Sequence, residues 1–172
     1  PNTVAGALKV LTGLGVDLIN VHAVGGEKMM AVAAEAIKNK AAELGVGRPQ
    51  LLAVTILTSM DEAQFAALNY NNTIPEQVVA LAKLAQKAGL DGVVASPQEA
   101  AAIREACGPD FLIVTPGVRP AGSATDDQSR IATPAQAFSA GATHIVVGRP
   151  IMKAKDRKAA ATAIVDEIKN VG

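Results

Sequence analysis

Two arginines occupy matching positions in this sequence. Arg119 ends Thr115-Pro-Gly-Val-Arg119 after the apolar run from Phe111, and Arg149 follows Gly148 after the apolar run from Ile145. If both runs are parallel strands, their ends bring two guanidinium forks to one rim. The backbone N–H groups of Gly117 and Gly148 arrive with them, and together these groups could hold phosphate oxygens. Between the two runs, Pro120 to Asp127 is rich in Gly, Ser, Ala and Thr and has little to bury. It reads as a mobile lid beside a phosphate site. Gln128 ends that loop, either as an amide donor to the ligand or as a solvated loop residue.

The other candidate rim residues are His22, Thr58 with Ser59, Ser96 and Pro116, each just at or past the end of an apolar run. General acid–base work needs His, Asp, Glu or Lys within reach of the substrate, and only His22 qualifies. A lone histidine at a strand end reads as a hydrogen-bonded structural residue. The hydroxyls of Thr58 and Ser59 either address the edge of a heterocycle or cap the next helix. His144 stands at the start of its strand, on the opposite side of the sheet from the rim, so the rim supplies too few ligands for a metal. Cys107, beside Gly108-Pro109 and without a histidine partner in sequence, reads as an inert thiol. This is a binding apparatus without its chemistry.

The elements that position these residues alternate along the chain. An amphipathic helix, with Val4, Ala7, Leu8, Leu11 and Leu14 at helical spacing, runs up to a C-capping Gly15. Strands follow over Asp17–His22, Gln50–Leu57, Gly92–Ser96, Phe111–Gly117 and His144–Arg149. Helices are expected from Glu27 to Leu44, from the Thr73/Glu76 capping box to Gly89, and from a Ser96/Glu99 capping box to Ala106. Two more run from Thr133-Pro134 to Ala140 and from Asp156 to Asn170, and a shorter one lies around Ala63 to Leu68. Continuous Val, Ile and Leu strands, each followed by a helix, indicate a parallel sheet covered by helices, with a βα repeat near thirty residues. No Gly-x-Gly-x-x-Gly turn follows any strand, and the phosphate-like residues follow the last two strands, where barrels carry their phosphate site. The fold class is therefore α/β, a (β/α)8 TIM barrel of which residues 1–172 supply five strands and six helices as the C-terminal portion of a single domain.

Composition narrows the classes. The 172 residues are 49% apolar, with sixteen basic and sixteen acidic side chains, so no charged surface invites nucleic acid or anionic membrane. Aromatics are 2%, too few for base-stacking platforms. A single cysteine rules out an internal disulfide and fits a reducing compartment. With neither an apolar run of membrane length nor a signal-like start, the expected location is the cytoplasm. Pro1 in place of an initiator Met reads as a cut or processed start.

An ordered set of segments resembles the C-terminal half of bacterial orotidine 5′-phosphate decarboxylases. The set comprises Leu112-Ile-Val-Thr-Pro-Gly-Val-Arg-Pro120, Asp127-Gln128, Thr133-Pro-Ala135 and Ile145-Val-Val-Gly-Arg-Pro150. Pro1-Asn-Thr3, Gly15-Val-Asp-Leu-Ile-Asn-Val-His-Ala23, Gly25-Gly26 with Met29-Met30, Ala53-Val-Thr55 with Leu57-Thr-Ser59, and Gly89-Leu-Asp-Gly-Val-Val94 precede it in the family's order. The resemblance implies loss of CO2 from orotidine 5′-phosphate to give uridine 5′-phosphate (UMP), without metal or organic cofactor. It also implies a homodimer with the active site shared across the interface. The family's lysine and aspartates belong to an Asp-x-Lys-x-x-Asp-Ile signature that would fall just before Pro1, so no catalytic residue is expected in this chain and the isolated chain is expected to be inactive. Thr3 resembles the threonine that reaches the neighbouring subunit's ribose. Thr58 matches the residue at the pyrimidine edge, and Pro116 the rim beneath the base. Arg119 and Gln128 match the closing lid, and Gly148 with Arg149 the phosphate grip. The alternatives are another phosphate-sugar barrel, of the hexulose-phosphate synthase or ribulose-phosphate epimerase type, and a non-catalytic nucleotide-binding fragment.

Overall fold

The computed structural model describes residues 1–120 and 132–169. Five strands form one parallel sheet in chain order: β1 (Leu18–His22), β2 (Gln50–Val54), β3 (Gly92–Val94), β4 (Leu112–Thr115) and β5 (His144–Ile145). An order without reversal is that of a barrel wall, since a doubly wound sheet reverses at a switch point. The helices are α1 (Asn2–Thr12), α2 (Gly26–Leu44), α3 (Glu62–Ala66), α4 (Ile74–Lys87), α5 (Ala100–Cys107), α6 (Pro134–Ser139), α7 (Arg149–Met152) and α8 (Arg157–Lys169). Six of these answer the expected long helices, α3 answers the shorter one expected around Ala63, and α7 was not foreseen.

The sheet has two different faces. Ile19, Val21, Leu51, Ala53, Val93 and Ile113 are buried in one core with Met30, Ala33 and Ile37 of α2 and Val78 and Ala82 of α4. The alternate residues form a cross-sheet row on the other face, His22–Val54–Val94–Val114–His144. Val114 is buried in that row, Val54 and Val94 are half-buried, and the two histidines are exposed at its ends. Burying a side chain such as Leu51 or Ile113 on the helix face contributes about 1.5–3 kcal/mol.

Several boundaries differ from the sequence reading, each for a local reason. Helix α1 stops at Thr12, whose hydroxyl donates back to the Leu8 carbonyl at 2.8 Å, and Gly15 closes the following turn with φ +72°. The Thr73/Glu76 capping box of α4 is present in both directions. The Ser96 segment instead opens as a 3-10 turn, Pro97–Glu99, with the Ser96 hydroxyl accepting from the Gln98 N–H at 3.3 Å. Strand β5 was expected to reach Arg149 and ends at Ile145. Its last tie to β4 is the Val146 N–H to the Thr115 carbonyl, after which Gly117, at φ +75°, turns β4's chain away. With no strand left to pair with, Arg149 begins α7, with Pro150 in its first turn.

At the N-terminal edge of the sheet, Arg48 and Asp91 form a two-pronged ion pair. The Arg104 guanidinium donates to the carbonyls of Gly108, Pro109, Phe111 and Gly141 at 2.7–2.8 Å, fastening α5 to the turns before β4 and β5. These contacts lie away from the strand ends where barrel chemistry sits and hold the scaffold.

Candidate active-site rim

Parallel strands deliver their C-terminal ends to one rim, and the helix before a strand starts at that same rim. Thr3, the second residue of α1, is therefore on the rim side and is exposed. Thr58 follows the end of β2 and Pro116 the end of β4. The structure brings these two together. A cavity of about 250 Å3 is lined by Thr58, Ser59 and Pro116 with Val54, Val94 and Ala95, at the ends of β2, β3 and β4. Thr58 is 7% exposed and Pro116 half-buried, so both belong to the cavity wall and not to open solvent. A mostly apolar wall with two hydroxyl-bearing residues suits a ligand that is largely apolar with a few polar groups.

Arg119, Gly148 and Arg149 do not line that cavity. Arg119, matched to the closing lid, is buried, with only 6% of it exposed. Its N–H donates to the Ala132 carbonyl at 2.9 Å, beside the isolated bridge between Val118 and Ala132. Its Nη1 donates to the Val118 carbonyl at 2.9 Å, while the buried Nε has no hydrogen-bond partner. A buried N–H without an acceptor costs free energy, so the Nε position of Arg119 leaves room for an acceptor that the described residues do not supply. Gln128 lies outside the described residues.

Gly148 caps α7 and Arg149 is its first residue, half-buried. A Cβ added at Gly148 would meet nothing within 4 Å, so the space before its backbone is open to an approaching group. Gly117 is required for another reason, since its left-handed φ lets β4 turn sharply between Pro116 and Arg119.

The remaining candidates sort by surroundings. His22 is exposed at the sheet edge, without a hydrogen-bond partner among the described residues, which is not the hydrogen-bonded structural role read from the sequence. His144 is not across the sheet from it. The register sets both in one row, because β5 is short and staggered along β4, and an His144 ring nitrogen lies 3.0 Å from the Thr143 hydroxyl. Cys107 is buried, and that burial pushes its thiol above the ordinary value, as an unreactive core residue requires. Among the described residues no group of three His, Cys, Asp or Glu side chains could hold a metal ion, and no helix is long and apolar enough to cross a membrane.

Sequence reasoning missed Val54, Val94 and Thr55 as parts of this rim. Each sits within a continuous apolar strand, where only the register shows which face it takes.

Comparison with known proteins places this geometry. The family model "Orotidine 5'-phosphate decarboxylase / HUMPS family" matches residues 1–164. The orotidine 5′-phosphate decarboxylase of Moorella thermoacetica is 56% identical over 172 residues, covering 99% of this chain and 68% of that protein. That of Trichlorobacter lovleyi is 56% identical over 168 residues, covering 98% and 69%. The crystal structure of the Lactobacillus acidophilus enzyme superposes with a TM-score of 0.84 at 42% identity, covering 98% of this chain and 70% of that one. The Pyrococcus horikoshii enzyme, at 24% identity and a TM-score of 0.70, shares the fold. The chain thus spans about two thirds of its relatives' length and carries five parallel strands of their barrel. It belongs to the orotidine 5′-phosphate decarboxylase / HUMPS family.

Proposed function

We propose that this chain carries the nucleotide-binding part of an enzyme that decarboxylates orotidine 5′-phosphate to UMP in pyrimidine nucleotide biosynthesis. The observation that carries the reading is the cavity joining Thr58 to Pro116 at the ends of β2 to β4, in a chain 56% identical to decarboxylases of that name. Residues 1–172 form the C-terminal portion of one barrel domain. Thr58 meets the pyrimidine edge and Pro116 lies beneath the ring. Arg149 and the Gly148 backbone take the phosphate, and Arg119 and Gln128 close over it. Thr3, exposed at the start of α1, reaches the ribose bound by a second subunit.

In this reading the chain's residues supply binding energy at a distance from the reacting carbon. Contacts to the phosphate hold the nucleotide and favour closure, so their energy appears in the transition state at the base. The 172 residues contain no Asp-x-Lys-x-x-Asp segment, and no lysine lines the cavity to protonate a carbanion at the ring. The hexulose-phosphate synthase alternative has the shared family model behind it, whereas the relatives compared above carry the decarboxylase name.

The test is calorimetric titration of the 172-residue chain with UMP, alongside an absorbance assay for loss of orotidine 5′-phosphate. Binding without turnover is expected, with turnover gained in a complete version whose barrel carries an Asp-x-Lys-x-x-Asp-Ile segment ahead of Pro1. Failure to bind UMP refutes the nucleotide site. Turnover by the 172-residue polypeptide alone refutes the division of roles.

A further inference from the structure

We infer that Thr55 is a positioning residue, whose hydroxyl sets the spacing between the end of β2 and the end of β3 and so the place of Thr58 in the cavity. The inference rests on reading that cavity as the base side of the nucleotide site.

Thr55 is the first residue past β2 and is 4% exposed. The Val94 carbonyl receives two donors from it, the backbone N–H at 3.1 Å and Oγ1 at 2.8 Å. The N–H alone continues the ladder and satisfies that carbonyl. The hydroxyl, on the second lone pair, adds a restraint on direction that a valine of the same shape would lack. What it restrains matters, because Val94 and its register partner Val54 both line the cavity. Three residues beyond Thr55 the same chain presents Thr58 to that space.

The opposite wall repeats the device. Thr115, fully buried and one residue before Pro116, donates its hydroxyl to the His144 carbonyl at 3.3 Å. Both segments that deliver the proposed base contacts are thus fastened by a threonine hydroxyl to the next strand. The Thr55 bond is the shorter, which makes it the better test.

The experiment compares the 172-residue chain with its Thr55→Val and Thr55→Ser variants, using UMP as the probe and amide hydrogen exchange as a readout that needs no ligand. Thr55→Val is expected to weaken UMP binding about five- to tenfold, through misplacement of Thr58 relative to the ligand. It should lower the urea midpoint modestly, as loss of one buried hydrogen bond does, and speed exchange at Thr58, Ser59 and Ala95 more than at the rest of the core. Thr55→Ser, which keeps the hydroxyl, should restore both. Unchanged exchange in Thr55→Val overturns the positioning role. Faster exchange with unchanged UMP affinity overturns its link to the site. A Thr55→Val chain that does not fold overturns the inference by making the hydroxyl structural. If the parent chain binds no UMP, the nucleotide reading falls, while the exchange comparison still decides whether the hydroxyl holds the loop.

Discussion

The Asp91 carboxylate receives both arms of the Arg48 guanidinium, at 2.9 and 3.1 Å, and its Oδ2 also accepts the Leu51 N–H at 2.7 Å. Asp91 further donates its own N–H to the Leu51 carbonyl and accepts the Leu112 N–H, so one residue joins the starts of β2, β3 and β4. The two partners should therefore differ in what their loss costs. Arg48→Ala removes a partly exposed ion pair and should cost at most about 1 kcal/mol. Asp91→Ala also strips the Leu51 N–H of its acceptor and should cost about 1–3 kcal/mol. Urea unfolding of both variants checks this, and equal losses would show that the ion pair, not the backbone contact, carries the effect.

Two glycines make opposite predictions for the same substitution. A Cβ at Gly92 would lie 2.3 Å from the Leu112 carbonyl oxygen and 2.4 Å from its Cβ, because β3 and β4 pack there without a side chain between them. Gly92→Ala should cost on the order of 3 kcal/mol or move the strand. Gly6, exposed within α1, has nothing within 4 Å of its would-be Cβ. Gly6→Ala should stabilise the chain by about 0.5–1 kcal/mol through helix propensity and a less flexible unfolded state. Thermal melting of the pair tests the signs, and a stabilised Gly92→Ala would contradict the packing of β3 on β4.

What could be read from the sequence divides along physical lines. The Thr73/Glu76 box and the presence of five strands depend on residues near one another and came out as read, whereas β2, β3 and β5 end earlier than their apolar runs. Thr58 and Pro116 were legible as candidates because each ends an apolar run. Their common cavity depends on the register of three strands, which local pattern does not encode. Arg149 was read as a strand end because Ile145 to Val147 looks like strand; it begins a helix because β4 had already turned at Gly117 and left nothing to pair with. Arg119 resembles part of a lid in sequence, but its burial and its backbone tie to Ala132, thirteen positions along the chain, are not legible in local pattern. Thr55 gave no signal, since threonine in a strand is ordinary and only its hydroxyl's direction is informative.

The α4 cap gives the chain an acid-side dependence. The Thr73 N–H, and after it the Thr73 hydroxyl, hold the Glu76 carboxyl below the ordinary glutamate value. A carboxyl with a lower value in the folded chain adds stability that is present above its unfolded value and is lost as pH falls through the folded one. Glu76→Gln removes this contribution. The stability advantage of the parent over Glu76→Gln should be steady near neutrality and shrink as pH is lowered from about 5 to about 3. Urea midpoints of the two chains across that range check it, and an advantage that grows on acidification would reverse the sign argued here.

The phosphate grip can be separated from the base contacts by choosing the ligand. Arg149, at the first position of α7, is assigned to the phosphate, and Thr58, in the cavity wall, to the base. Arg149→Ala should weaken UMP binding to the chain by tenfold or more, roughly the value of a charge-assisted contact, and leave uridine binding where it was. Thr58→Ala should weaken both ligands by a similar, smaller factor, because both carry the pyrimidine edge. In a complete version, with the whole barrel and the Asp-x-Lys-x-x-Asp-Ile segment ahead of Pro1, Arg149→Ala should lower kcat/KM by about 2–4 kcal/mol of transition-state stabilisation. Arg149→Lys should recover only part of that loss, since an ammonium cannot reproduce a planar fork on two oxygens. Steady-state kinetics showing less than a tenfold fall for Arg149→Ala, or an equal loss of UMP and uridine affinity, would remove Arg149 from the phosphate site.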